Sequence, residues 1–87
     1  MVYILKMKKY LLLIDKTRIN LVWEVLEKYP IDNIHFTSIN GNCIELTTNL
    51  DQVKLEEDIR YYFYQIGYYD TFSILDPILL NDYEIII

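Results

Sequence analysis

The tripeptide Asn40-Gly41-Asn42 stands between two strand-like segments, Ile34 to Ile39 and Cys43 to Thr48, and commits the middle of the chain to a β-hairpin. A hairpin alone is marginal in water, because its apolar face needs a further strand or a helix to cover it. The flanking sequence supplies both. Upstream, Lys8 to Ile14 is apolar, aromatic and too short for a typical helix, which predicts a buried strand, with Val2 to Leu5 as a further extension. Ile19, Val22, Leu26 and Tyr29, joined by Val25, then recur at helical spacing from a Thr17 cap until Pro30 stops the pattern. Trp23 falls on the flank of that helix, at the edge of the core.

Downstream, Asn49 or Asp51 caps a second helix whose apolar stripe is Leu55, Ile59, Tyr62, Phe63 and Ile66, with Gly67 suited to the left-handed position at its end. Thr71 to Leu75 reads as another strand, ended by Asp76-Pro77, and Tyr83 to Ile87 as a short final one. The order β-α-β-β-α-β plus a C-terminal strand predicts an α+β domain spanning residues 1–87. Its expected form is a ferredoxin-like split β-α-β sandwich: an antiparallel sheet with both helices on one face.

Hairpin register follows from side-chain alternation. A two-residue Asn-Gly loop would set Phe36 against Glu45, whereas a three-residue loop pairs Ile39 with Cys43 and places Ile34, Phe36, Ile44 and Leu46 on one face. The second arrangement is the expected one. It leaves Ile39 and Cys43 on the outer face, as candidates for a homodimer interface together with Ile85, Ile86 and Ile87, whose strand could pair with its own sheet edge or a second subunit's.

Charge separates along the chain. Lys6, Lys8, Lys9, Lys16 and Arg18 face a single carboxylate, Asp15, in the first eighteen residues, while the rest holds three basic and twelve acidic residues, for a net charge of −5. Such a surface repels nucleic acid and suits a partner with a basic surface. The apolar run from Tyr10 ends at Asp15, far short of the ~20 residues needed to span a bilayer. One cysteine, Cys43, forms no internal disulfide, and the expected location is cytoplasmic.

Catalytic signals are few. His35 is the sole histidine, which excludes a multi-histidine metal site, and it lies four residues from Cys43 along the paired strands, more than ~10 Å away. Gly41 and Gly67 are isolated, so there is no phosphate loop. Glu56, Glu57 and Asp58 are consecutive on a helix and diverge into solvent. Asp15, at the junction of the first strand and first helix, is either a helix cap or a functional side chain.

Aromatic residues carry the stronger signal. Six of the nine residues Tyr61 to Tyr69 are aromatic, and Tyr61, Tyr62, Phe63 and Tyr64 point in four directions ~100° apart, more than one buried stripe can absorb. Tyr62 and Phe63 belong to the core. Tyr61, Tyr64 and Tyr68, spaced by three and four beside Glu57 and Asp58, form the expected protein-binding flank.

Certain motifs carry a family resemblance. The first strand ends Leu11-Leu12-Leu13-Ile14-Asp15, Arg18 follows, the first helix ends Leu26-Glu27-Lys28-Tyr29, the second strand holds Phe36-Thr37-Ser38-Ile39, and Asp70 opens Phe72-Ser73-Ile74-Leu75. From Lys8 to about Ile87 this resembles the small ferredoxin-like CRISPR-associated adaptation subunit and its VapD and SinR-like relatives. The resemblance implies a metal-dependent, nuclease-like or nucleic-acid-binding dimer, with Asp15 as the Mg or Mn ligand and the final strand crossing to the partner. The basic cluster usual on that family's first helix is reduced here to Arg18. The residues themselves favour a different activity: a small acidic non-catalytic protein-binding module without cofactor, of the size and charge of bacterial or phage inhibitor and immunity-type proteins.

Overall fold

The computed structural model describes residues 7–77. Six elements follow in the order β1 (Lys8–Leu13), α1 (Ile19–Lys28), β2 (Ile34–Asn40), β3 (Cys43–Thr48), α2 (Gln52–Gln65) and β4 (Ser73–Leu75). The strands form one antiparallel sheet ordered β2-β3-β1-β4. Each helix therefore connects two strands separated by one neighbour, which is the split β-α-β arrangement of a ferredoxin-like fold.

Alternation along the strands makes a single core. Tyr10 and Leu12 of β1 with Ile14 just after it, Ile34 of β2, and Ile44 and Leu46 of β3 point to one face, where they meet Ile19, Val22 and Leu26 of α1 and Leu55, Ile59 and Phe63 of α2. Both helical stripes are the ones periodicity selects except at the end of α1, where Tyr29 lies beyond the last helical residue and is 67% exposed. Ile74 joins this layer from β4, opposite Leu12, and Trp23 packs at its margin. The other face of the sheet carries Lys9, Leu11 and Leu13 opposite Thr47, Glu45 and Cys43, and neither helix covers it.

The hairpin corrects the expected register near its turn. Phe36 is paired with Leu46 as expected, but Ile39 pairs with Ile44 and Asn40 with Cys43, with a shift between Phe36 and Ser38. The loop is therefore Gly41-Asn42. Of these two only Gly41 has a positive φ, +63°, the pattern of a type II′ turn. The surplus residue is absorbed as a bulge at Thr37, whose hydroxyl donates to the Glu45 carbonyl. A bulge reverses the in-out alternation beyond it, so Ile39 turns inward and packs on the core, while Cys43 stays on the helix-free face. Residues 85–87, the other expected contributors to a dimer interface, and the extension and final strand expected at the termini lie outside the described residues.

Helix α2 ends through a second local reversal. Asp51 caps its start, accepting from the Lys54 N–H at 2.8 Å. At its end Gly67 adopts φ +83°, its N–H donates to the Tyr64 carbonyl, and the Tyr68 N–H donates to the Phe63 carbonyl at 2.9 Å. These two bonds define a Schellman motif, in which the residue after the left-handed glycine folds back against the last turn. Here that residue is Tyr68, whose ring meets Phe63 edge-on at 5.0 Å.

Candidate functional site

The aromatic run of α2 divides into an inner and an outer set. Phe63 is 1% exposed and sits between Tyr68 at 5.0 Å and Phe72 at 5.2 Å, both edge-on. Tyr62 leans towards α1 and donates its hydroxyl to the Tyr29 carbonyl at 2.6 Å. Burial pushes the Tyr62 phenol up, with Tyr29 adding to the shift. These rings hold the helices together.

Tyr61 and Tyr64 are 66% and 68% exposed, and Tyr69, beyond the Schellman turn, is 75% exposed. Tyr64 and Tyr69 touch edge-on with centroids 5.6 Å apart. Glu57 precedes Tyr61 by one helical turn and is exposed beside it. Gln65 donates its side-chain amide to the Tyr61 hydroxyl. An amphipathic surface of rings therefore covers the outer side of α2 and the turn that follows.

Tyr68 is not part of it. At 7% exposure it belongs to the core, because its spacing from Tyr64 has helical meaning only if the helix continues, and Gly67 ends it. Burial pushes its phenol up, partly opposed by the Asp15 backbone N–H. Tyr69 takes the exposed place that spacing assigns to Tyr68. Gly67 at a helix end is the sequence signal that marks the change, since the residue two after the C-cap folds inward. Asp58 is also drawn away from the surface, half-buried and bound to Lys54 at 2.9 Å.

A notch of about 140 Å³ is lined by Arg60, Phe63, Tyr64, Tyr68, Tyr69, Asp70 and Phe72. Drug-sized ligands occupy sites of roughly 300–1,000 Å³, so the notch suits one side chain. Arg60 stacks its guanidinium on Phe72 at 5.2 Å and is neutralised by Glu56. Asp70 is half exposed, and Arg18 approaches it to only 4.0 Å.

Asp15 lies where β1 gives way to α1. Its Oδ1 accepts from the Thr17 N–H and the Thr17 hydroxyl, both at 2.9 Å, and its carbonyl accepts from the Arg18 and Ile19 N–H groups. These bonds form the turn that leads into α1, whose N-cap position is Arg18 and whose first N–H groups receive no side-chain oxygen, so neither Thr17 nor Asp15 caps the helix itself. The Thr17 N–H, then its hydroxyl, holds the Asp15 carboxyl below the usual range. Among the described residues no group of three or more metal-ligating side chains converges. His35 is exposed opposite Thr47, while Cys43 pairs with Asn40 and Leu13, and burial pushes its thiol up. No described helix is long and apolar enough to cross a membrane.

Comparison with known proteins finds no matching family model, no matching curated protein and no matching solved structure.

Proposed function

We propose that this chain is a small non-catalytic protein-binding module that docks through the outer surface of α2 and the turn after it. The observation that carries the reading is the exposure of Tyr61, Tyr64 and Tyr69 on one surface beside Glu57. Tyrosine presents a rigid apolar body and a polar tip, and its enrichment in protein interfaces follows from that combination. The acidic balance of the chain favours a basic surface on the partner.

The test is a Tyr61→Ala/Tyr64→Ala/Tyr69→Ala variant used beside the unaltered protein for affinity capture from host extract, with quantitative mass spectrometry. A species enriched on the unaltered protein is expected to vanish from the variant, with circular dichroism unchanged. Equal capture by both proteins refutes the reading. So does magnesium- or manganese-dependent DNA cleavage that is lost in Asp15→Asn, which would place function at the β1–α1 junction.

A further inference from the structure

We infer that the notch between Tyr64, Tyr69 and Asp70 receives an arginine side chain from a basic segment of the partner. The inference rests on the protein-binding reading and specifies the chemistry of its central contact.

Three observations point to a guanidinium. First, two phenol rings inclined to each other by 72°, both largely in solvent, line the notch. Tyrosine ring faces attract cations, and the planar guanidinium stacks on them as an ammonium does not. Second, the Asp70 carboxylate lines the same space and is held by Arg18 only at the 4.0 Å limit of an ion pair. A carboxylate so placed can form a charge-assisted, bidentate pair with an incoming guanidinium. Third, the wall already performs this recognition within the chain: Arg60 lies over Phe72 at 5.2 Å while Glu56 takes its charge. The proposed contact repeats that arrangement one step outward, with Tyr64 and Tyr69 in place of Phe72 and Asp70 in place of Glu56.

Charge selects the same occupant. From residue 19 onward the chain has twelve acidic and three basic residues, and the basic residue of the notch is internally neutralised by Glu56. An acidic segment would set like charge against Asp70, and a purely apolar one would desolvate a carboxylate that Arg18 reaches only at 4.0 Å.

The chain of residues 1–87 would be titrated with two synthetic peptides, acetyl-Gly-Gly-Arg-Arg-Gly-Gly-amide and the same peptide with citrulline at both arginines, and followed by amide chemical shifts. The arginine peptide is expected to move the Tyr64, Tyr69 and Asp70 amides most. Citrulline substitution, or Asp70→Asn in the protein, is expected to weaken binding about tenfold, the ratio that corresponds to loss of one charge-assisted pair. Tyr64→Ala should weaken it comparably, while Glu27→Gln, on α1, should leave it unchanged. Equal affinity for both peptides, or shifts spread over the acidic surface and reduced equally by Glu27→Gln, would overturn the inference. If the tyrosine variant loses its captured species while the arginine peptide fails to bind, the binding-module reading stands and the arginine contact falls.

Discussion

At the scale of single residues, the positions that matter most are those where the backbone reverses. Gly67 carries φ +83°, and no atom lies within 4 Å of where a Cβ would be, so a substitution there meets only conformational cost. Gly67→Ala is expected to destabilise by about 1 kcal/mol in urea unfolding, with the Schellman bonds retained. A much larger loss would mean that the turn is packed more tightly than the structure shows. Tyr62→Phe removes the donor to the Tyr29 carbonyl and is expected to cost about 1 kcal/mol, read in the same assay. Asp15 sets a pH dependence. Its folded-state pKa lies below its unfolded value, so its contribution is present above ~4, the unfolded carboxylate pKa, and is lost as pH falls through the folded value. Asp15→Ala should therefore lower stability at neutral pH, and the difference from the unaltered protein should shrink in acid. A constant gap across pH 2–7 would contradict the assigned Asp15–Thr17 bonds.

At the scale of elements, β2 shows how a strand satisfies two demands that conflict. Phe36 and Ile39 must both face the core, yet they are three residues apart, and regular alternation puts residues three apart on opposite faces. The bulge at Thr37 resolves this by placing one extra residue against Glu45. Deleting Thr37 should therefore leave a regular strand in which Phe36 still opposes Leu46 and Ile39 still opposes Ile44. The deletion is expected to fold, with cross-strand nuclear Overhauser contacts between Ile39 and Ile44 retained; their loss would show that the bulge has another role. Because β2 is an edge strand, straightening it should also raise its tendency to pair with other chains, visible as increased light scattering on concentration. Pattern reading recovered the face of Ile34, Phe36, Ile44 and Leu46 but not that of Ile39. A register chosen as one continuous offset contains no term for a bulge.

At the scale of the whole molecule, the two sets of aromatic rings should respond oppositely to mutation. Phe63→Ala empties the centre of the Tyr68 and Phe72 contacts and is expected to cost about 3–5 kcal/mol, a large part of the ~5–15 kcal/mol that stabilises a small domain. Tyr61→Ala, on the outer surface, should change stability by no more than about 0.5 kcal/mol. A Phe63→Ala protein with an unchanged thermal midpoint would remove the aromatic core from this description. The order from β1 to β4, the buried parts of both helical stripes and the role of Gly67 were determined by the sequence itself, which also narrowed the α2 cap to Asn49 or Asp51, because each depends on residues a few positions apart. The exposed surface was legible only in part: Tyr61, Tyr64 and Glu57 follow from helical geometry, whereas the exchange of Tyr68 for Tyr69 and the inward turn of Ile39 do not. The first was set locally, by Gly67 ending the helix and folding Tyr68 back on Phe63 five residues earlier. The second was decided by tertiary structure: a bulge against Glu45 changes where Ile39 points by reference to a partner strand, and local periodicity carries no information about that partner's position.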